Sequence, residues 1–372
     1  MPTITKTISV KIDDPTKTKL EALQDLLTIS ADLSRYYVAK MEALDTESKK
    51  VLHTETYNEV KTMFPDIPTG LIQTIRDKSL ETYKSYKAQI KKGKKASLPE
   101  FKHPVVRFDG RTFTLHTTEK CFTYFVSVST RQKRVMLPVQ YGHFQAKILD
   151  KLSAGEYKFC IAELSFSYRL NCYVLNISYK YDVPEKETSA VMGIDLGITN
   201  LAVLAVPGQL HKFFSGKCYN QKRSHYANLR RKLGKKKLLK KIKSIGNKEQ
   251  RYMKDVNHKI SRQIVEAAKQ YNAVIQLEDL SNIRARVKFS RKMNRKLHNW
   301  NFYQLRSFIE YKAMAEGLKV VQVSPKYTSQ HCHVCGHTEK GNRPNQATFQ
   351  CKACGYQANA DFNASMNIAV AG

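Results

Sequence analysis

Polar and apolar residues alternate from Ile4 to Ile12, with Ile4, Ile8, Val10 and Ile12 on one parity, which predicts a half-buried strand. Asp13-Asp14-Pro15-Thr16 ends that strand and caps the next element. Leu20, Leu23, Leu27, Tyr37, Met41 and Leu44 then keep helical spacing. A second helical pattern comes after Pro68, through Leu71, Ile72, Ile75, Tyr83, Tyr86 and Ile90, and runs into the basic loop Lys91-Lys92-Gly93-Lys94-Lys95. Between Val105 and Tyr181 the rhythm changes to short strands, among them Phe122–Val128 and a run with Tyr173, Leu175, Ile177 and Tyr179 on one face. Strands spaced by turns predict a small barrel or sandwich, completed by the first strand with the helices inserted. The polar stretch Asp182–Ser189 reads as a linker and the main domain boundary.

Beyond the linker, Val191-Met192-Gly193-Ile194-Asp195 carries an apolar run into one acid, with Gly193 and Gly197 on either side of it. A buried strand fits this pattern. A carboxylate there is costly to hide unless it is paired or holds a metal, and the glycines let another backbone or a phosphate approach. An ordinary strand-end aspartate in a turn is the plainer alternative. Leu201–Val206 and His211–Phe214 bracket Pro207-Gly208, a hairpin signal. Next come Arg230-Arg231-Lys232 and Lys235-Lys236-Lys237, interleaved with Leu229, Leu233, Leu238, Leu239, Ile242 and Ile245, which predicts a basic amphipathic helix. Val256, Ile260, Ile264, Ala267 and Tyr271 mark a further helix, with His258 and Arg262 one turn apart on its surface, either touching phosphate or plainly exposed. A strand, Ala273–Leu277, ends at Glu278-Asp279. Basic residues return over 284–296, and Trp300, Phe302, Leu305, Phe308 and Ile309 mark another amphipathic helix. Lys319–Val323 is a third strand, halted by Pro325, and Ala360–Ala369 a short terminal helix opened by Asp361.

Charge changes the picture more than length does. The 372 residues allow two or three domains, but 63 Lys and Arg against 32 acids leave a net charge of +31. A polyanion is the natural partner, since cations gain affinity by releasing its counterions. No run is long and apolar enough for a spanning helix and the N-terminus lacks a signal-peptide pattern, so no membrane partner is expected. Of the eight cysteines, Cys121, Cys160, Cys172 and Cys218 are scattered, three of them in apolar strand-like runs, and read as buried free thiols, whereas Cys332, Cys335, Cys351 and Cys354 cluster. That usage suits a reducing, cytoplasmic compartment.

The cluster spells C-x2-C-x15-C-x2-C. Two knuckles of two thiolates complete a tetrahedron, a closed soft ligand set that favours structural zinc over iron or a free dithiol. His331 and His333 adjoin the site but are surplus to four ligands. The acids form a second constellation. If the strands of Asp195 and Glu278 are parallel neighbours, both carboxylates leave the sheet at one edge. Asp361, in the first turn of its helix, can face them if that helix packs across the sheet. Three converging carboxylates repel one another, and two divalent ions roughly 3.5–4 Å apart would relieve this and build a phosphodiester hydrolysis site. Oxygen-only ligands suit Mg²⁺, with Mn²⁺ the second choice. Asp279 should face elsewhere on strand alternation and ranks behind Glu278.

Gly193-Ile194-Asp195-Leu196-Gly197 with Asn200-Leu201-Ala202-Val203 resembles the first RuvC motif of TnpB proteins, transposon-associated RNA-guided nucleases related to the type V CRISPR effectors. Glu278-Asp279-Leu280 is similar to their second motif. Thr328-Ser329, the two knuckles, and Ala360-Asp361-Phe362-Asn363-Ala364-Ser365 with Asn367-Ile368 are similar to their zinc finger and third motif. The likeness is ordered and specific over residues 190–372 and architectural over 1–185. It implies a multidomain α+β and α/β chain: a wedge β-barrel over 1–16 and 99–185, a helical recognition lobe over 17–98, an RNase H-like RuvC mixed sheet over 190–328 and 358–372, and a zinc-ribbon insertion over 329–357. It makes Asp195, Glu278 and Asp361 the metal-binding catalytic acids and Cys332, Cys335, Cys351 and Cys354 the zinc ligands.

The function so implied is metal-dependent cleavage of double-stranded DNA beside a short adjacent motif, guided by RNA from a transposon end. The chain is expected to be monomeric, in a prokaryotic cytoplasm and associated with the nucleoid. Basic segments at 91–95, 222–243 and 284–296 are the candidates for phosphate contact, and the helices of residues 17–90 for reading the adjacent motif. Three rivals are an RNA-guided repressor that has lost its acids, a guide-independent RNase H-fold nuclease, and a zinc protein that binds nucleic acid only structurally, against which the acids also count. The complete set of acids counts against the first. Two departures stand out: Asn359-Ala360 replaces the Asp-Arg of many members, so a helper arginine is expected to be absent or replaced. The stretch after Asn367 is also short, so tail contacts to guide RNA are not expected.

Overall fold

The computed structural model describes residues 2–119, 122–280 and 302–371. It is a mixed α/β, multidomain fold with two compact units, one of residues Thr3–Tyr181 and one of Met1–Pro2 with Asp182–Gly372. Among the described residues no helix is long and apolar enough to cross a membrane. The basic segment 284–296 and Trp300 lie outside the described residues.

In the first unit, β1 (Thr3–Ile12) is followed by α1 (Lys17–Ala43), α2 (Lys49–Met63) and α3 (Thr69–Lys91), and the remaining strands come after them. These are β2 (Val105–Phe108), β3 (Phe113–Thr117), β4 (Tyr124–Ser129), β5 (Arg134–Gln140), β6 (Lys158–Ser167) and β7 (Cys172–Asp182). They join β1 in one seven-stranded sheet of order β2-β6-β7-β1-β5-β4-β3. With β2 and β3 as its two ends, the expected barrel or sandwich is, among the described residues, a single open sheet.

Two helices went unread in the sequence. In α2 only Leu52, Thr56 and Val60 are buried, too sparse a stripe to stand out. Between β5 and β6 lies α4 (His143–Ser153), which buries only Ile148 and Leu149. The helical stripe of α1 and α3, with Leu23, Leu33, Tyr37, Met41, Leu71 and Tyr83, forms one apolar cluster with Phe108, Val126, Leu137, Leu164 and Leu175 of the strands. Helices and sheet of this unit therefore share a core.

A charged network crosses that packing. Arg107 of β2 bridges Glu81 of α3 at 2.6 Å and Glu163 of β6 at 2.9 Å, and Lys78 reaches Glu163 at 2.8 Å. The Arg107 guanidinium holds the Glu81 carboxyl below its ordinary range. Burial pushes Glu163 up, but Lys78 and Arg107 outweigh it and leave it lowered. A depressed folded-state value contributes stability above the unfolded carboxyl value of about 4.3, and the contribution is lost as pH falls through the lower folded value.

The second unit builds a five-stranded sheet from β8 (Ala190–Asp195), β9 (Asn200–Val206), β10 (Leu210–Ser215), β11 (Ala273–Glu278) and β12 (Val320–Val323), in the order β10-β9-β8-β11-β12. The meander β8-β9-β10 is antiparallel, whereas β11 runs parallel to β8 and β12 parallel to β11. Parallel strands need a crossover, and α7 (Lys248–Gln270) supplies the one before β11. Its buried Met253, Val256, Ile260, Ile264 and Val265 pack on the sheet, and α8 (Phe302–Ala315) packs against it.

His258 stacks on Phe308 of α8 with ring centroids 4.0 Å apart, and Arg262 lies 3.7 Å from Glu316, so this pair serves helix packing. The basic stretch is not one helix. It divides into α5 (Lys217–Lys235) and α6 (Leu239–Ile245) around Lys237, whose φ is +54°. No residue of α5 is fully buried, and Leu239 is 71% exposed, so the interleaved leucines give only a shallow apolar face.

Replacing Arg107 with Ala should cost the first unit about 2 kcal/mol at pH 7, less than a fully buried pair because Glu81 is half exposed. The loss should shrink in chemical denaturation below pH 4. An equal loss at both pH values would show that packing of the arginine stem, not charge, holds these elements.

Candidate functional site

Asp195 is the last residue of β8 and Glu278 the last of β11. In the parallel register Ile194 faces Leu277, so the next residue on each strand is an acid at the same sheet edge. The third acid arrives on α9 (Ala360–Val370). Asn359 caps that helix, its side chain accepting from the N–H groups of Asp361 and Phe362 at 3.0 and 3.3 Å. Asp361 thus sits in a first turn, where the helix dipole favours a carboxylate.

Gly193 is what lets the helix come close enough. A Cβ at this position would lie 2.1 Å from the Ser365 carbonyl oxygen and 2.4 Å from the Ala369 nitrogen. The backbone of α9 therefore rests directly on that of β8, helped by the small Ala364, Ser365 and Ala369 on its buried side.

The acids feel one another. The Asp195 residue is only half-buried by exposed surface, yet its carboxyl is ringed by enough protein that desolvation is the main reason its pKa stands well above the usual range. The charges of Glu278 and Asp361 raise it further, and that of Arg343 pulls it down. Glu278, 9% exposed, is raised chiefly by burial, against the opposing pull of Thr328 and Arg343. The Thr328 hydroxyl donates a short hydrogen bond to Glu278 Oε1. Asn200 Nδ2 donates to Asp361 Oδ2 at 2.9 Å, and Arg343 Nη2 donates to Asp361 Oδ1 at 3.2 Å. Asp279 points elsewhere, 3.5 Å from Arg306.

Arg343 had no signal in the sequence. It lies in the polar gap between the cysteine pairs, and its place is fixed by the neighbouring Asn342, which is fully buried. Asn342 Nδ2 donates to the carbonyls of Gln330 and His337, and Asn342 Oδ1 accepts from the Lys352 N–H. The guanidinium expected to be missing beside Asp361 is thus supplied from the ribbon. Thr328 and Asn200 were visible as motif letters, but their bonds to the acids follow from the folded chain alone.

The ribbon joins β13 (Thr348–Gln350) and β14 (Gln357–Asn359) antiparallel, and β14 passes without a break into α9. Gly336 and Gly355 come just after the knuckles with φ of +77° and +74°, backbone that only glycine adopts readily. The four sulfurs of Cys332, Cys335, Cys351 and Cys354 lie within 4.8 Å of one another. Cys332 and Cys354 sulfurs are 3.8 Å apart and those of Cys335 and Cys351 3.5 Å, close to the edge of about 3.8 Å implied by zinc–sulfur bonds of about 2.3 Å in a tetrahedron. The Cys354 N–H, aimed at Cys351 Sγ, draws that thiol down, while the crowding of the other sulfurs pushes the Cys354 thiol up, so the cluster gains and loses its protons as a group. The donor set fits zinc. The apolar cluster here is only Cys332, Phe349, Cys351 and Ala360, too small to hold the ribbon by itself.

His331 and His333 are not in the ligand set. His331 Nδ1 bonds the Thr338 hydroxyl, and His333 Nδ1 lies 3.0 Å from Asn363 Oδ1. Asn363 and Asn367 of α9 also donate to the His331 carbonyl, at 2.7 and 2.6 Å, and Asn367 donates to the Thr328 carbonyl at 2.8 Å. The knuckle, the helix of Asp361 and the partner of Glu278 are therefore latched together. Among the described residues only the cysteines bring three or more ligand atoms within 4.8 Å; the three acids are spaced more widely.

Comparison with known proteins agrees with this architecture. The model of the family described as "Probable transposase" matches residues 176–284, and that of the Cas12f1-like TNB domain matches residues 302–368. The CRISPR-associated endodeoxyribonuclease Cas12f1 of Sulfoacidibacillus thermotolerans is 30% identical over 350 residues, covering 86% of this chain and 81% of that protein. A TnpB-like protein of Methanocaldococcus jannaschii is 30% identical over 252 residues, covering 65% of this chain and 88% of its own. The chain belongs to the TnpB family. Among solved structures, Cas12f1 in a complex with single-guide RNA and target DNA matches this TnpB-family fold with a TM-score of 0.65 at 17% identity, covering 99% of both chains.

Gly193→Ala should force α9 off the sheet and cost the second unit about 3 kcal/mol in denaturant melts. An unchanged midpoint would mean that the helix has slack. Cys332→Ser should release the zinc expected at one ion per chain, read by atomic absorption, and expose the ribbon to proteolysis. Unchanged metal content would remove Cys332 from the ligand set.

Proposed function

We propose that this chain is the RNA-guided DNA endonuclease of a transposon, cutting DNA beside a short adjacent motif by two-metal phosphodiester hydrolysis. The observation that carries the proposal is the meeting of Asp195, Glu278 and Asp361, from three separate elements, with the Arg343 guanidinium. A fold keeps such mutually repelling carboxylates together where they bind cations. The relative named CRISPR-associated endodeoxyribonuclease supports cleavage of DNA, and the complex of Cas12f1 with single-guide RNA and target DNA supports the two partners.

The finer architecture belongs to the same reading. A central β8, an antiparallel meander on one side and parallel β11 and β12 on the other support an RNase H-like RuvC domain over 190–328 and 358–372. Residues 329–357 are its zinc-ribbon insertion. The helices of 17–98, placed between β1 and the later strands of one sheet, support a recognition lobe inserted in a wedge domain of 1–16 and 99–185.

The acidic residues would hold divalent cations, Mg²⁺ or Mn²⁺, through an oxygen-only donor set. When bound, such cations supply Lewis acidity and an activated water for in-line attack on phosphorus. The protein supplies orientation. Thr328 fixes the rotamer of Glu278 and Asn200 that of Asp361. Arg343 brings fixed positive charge to the place where phosphate would enter, which favours the charge gathered in the transition state. The exposed lysines of 91–95 and the basic face of 222–243 would contact phosphates and position the nucleic acid without reading it.

With guide RNA, target DNA and Mg²⁺, Asp195→Ala should reduce cleavage to background while co-purifying RNA is retained. Without divalent metal its melting temperature should match or exceed that of the parent, because a repelling acid is gone. Cleavage at the parental rate would overturn the assignment of the acids. Cleavage independent of any RNA would favour a guide-independent nuclease.

A further inference from the structure

The first unit contains a small aromatic cavity that the proposed chemistry does not use. It has a volume of about 320 Å³, at the small end of ligand pockets, which run from about 300 to 1,000 Å³. Leu27 of α1 and Pro104 form apolar walls, and Phe166, Tyr173, Tyr168 and His103 add four rings. Phe166 meets Tyr168 at 5.2 Å and Tyr173 at 5.1 Å, and His103 meets Tyr168 at 5.2 Å, all edge to face. In each pair one ring turns its edge to the face of the other, so the rings lock one another in place, and the faces not so covered border the cavity.

Tyr173 is buried and braces the group, but Tyr168 is 66% exposed at the tip of the β6–β7 hairpin, with Leu170 49% exposed beside it. The Tyr168 ring is held in water by two others, Phe166 and His103, rather than folded onto the core, and at the mouth of a cavity it is placed to meet a ligand. The rim is polar. Gln24 offers an amide with donor and acceptor, and the Thr28 hydroxyl, which donates to the Gln24 carbonyl at 3.0 Å, keeps its lone pairs for an incoming donor. Arg169 follows Tyr168 in the chain and supplies a cation beside the rings, whereas Lys102, next to His103, is ion-paired with Glu100 at 2.6 Å. Flat faces, hydrogen-bonding groups at the edge and flanking positive charge match one chemical class.

We propose that this cavity binds a single unpaired nucleobase, stacked on Tyr168 with the His103 ring edge-on beside it, its own edge toward Gln24 and Thr28 and its phosphate toward Arg169. A base within a duplex is stacked on both faces and cannot enter, so the site selects a flipped or single-stranded nucleotide, from RNA or from DNA. The inference takes its ligand class from the proposed function, but it needs no cleavage and none of the acids.

The test uses the full chain without added divalent metal, so the fate of the Asp195 assignment does not affect it. Single-stranded 12-mers carrying one 4-thiouridine or one 4-thiothymidine are photo-crosslinked, and the adducts are mapped by mass spectrometry. Cross-links at Tyr168 or His103 are expected from the RNA, the DNA or both, and the arm that reacts identifies the strand. The same oligonucleotide in a duplex should react far less. Tyr168→Ala should weaken binding of the reactive strand roughly tenfold, whereas Tyr168→Phe, which keeps the ring, should bind within twofold of the parent. Because Tyr168 is exposed, both variants should melt with the parent. Adducts elsewhere, equal labelling of the duplex, or parental affinity in Tyr168→Ala would each overturn the proposal.

Discussion

Three carboxylates in a partly desolvated pocket are an unstable arrangement, and the second unit is built to enforce it. Burial and mutual repulsion push Asp195 and Glu278 toward their protonated forms, and Arg343 is the positive group that reaches this cluster. The strands cannot relieve the crowding by sliding, because register fixes Asp195 and Glu278 at the ends of hydrogen-bonded neighbours. Nor can the helix of Asp361 withdraw easily, since its backbone lies against Gly193 and its asparagines hold the knuckle. Rigid scaffolding opposes the repulsion, and cations in the pocket would remove it.

The ribbon is consequently more than an appendage. Its four thiol groups converge in a segment with almost no apolar interior, and a metal bound there would take the place of a core. Through Asn342 it fixes Arg343, through β14 it leads directly into the helix of Asp361, and through the contacts of Asn367 it holds Thr328 against Glu278. The cysteine cluster and the acidic cluster are thus joined by shared hydrogen bonds.

The first unit obeys another logic. Its helices and its antiparallel sheet share one apolar cluster, so the insertion of helices after β1 does not make a separate core. Charged residues cross between them only where both partners are present, as at Arg107. Its surface carries the basic loop 91–95 together with scattered exposed apolar side chains such as Phe144 and Tyr168.

Much of this was legible in the chain. Strict alternation and helical stripes gave β1, α1, α3 and α7, because burial on one face writes its period into the sequence. The cysteine spacing pointed to the four sulfurs that the fold brings together, since knuckle geometry needs that spacing and a glycine just after it. Asp195, Glu278 and Asp361 could be named because each ends an apolar run or opens a helix. What the sequence left open was everything that depends on elements distant in the chain. Helices α2 and α4 bury too few residues for a stripe to show, and an open sheet differs from a closed barrel only in which edges meet. Arg343 is one arginine among many, distinguished solely by the buried asparagine beside it and the carboxylate it meets. Local periodicity records which face is buried, but it carries no information about which buried faces find each other, and only the folded chain decides that.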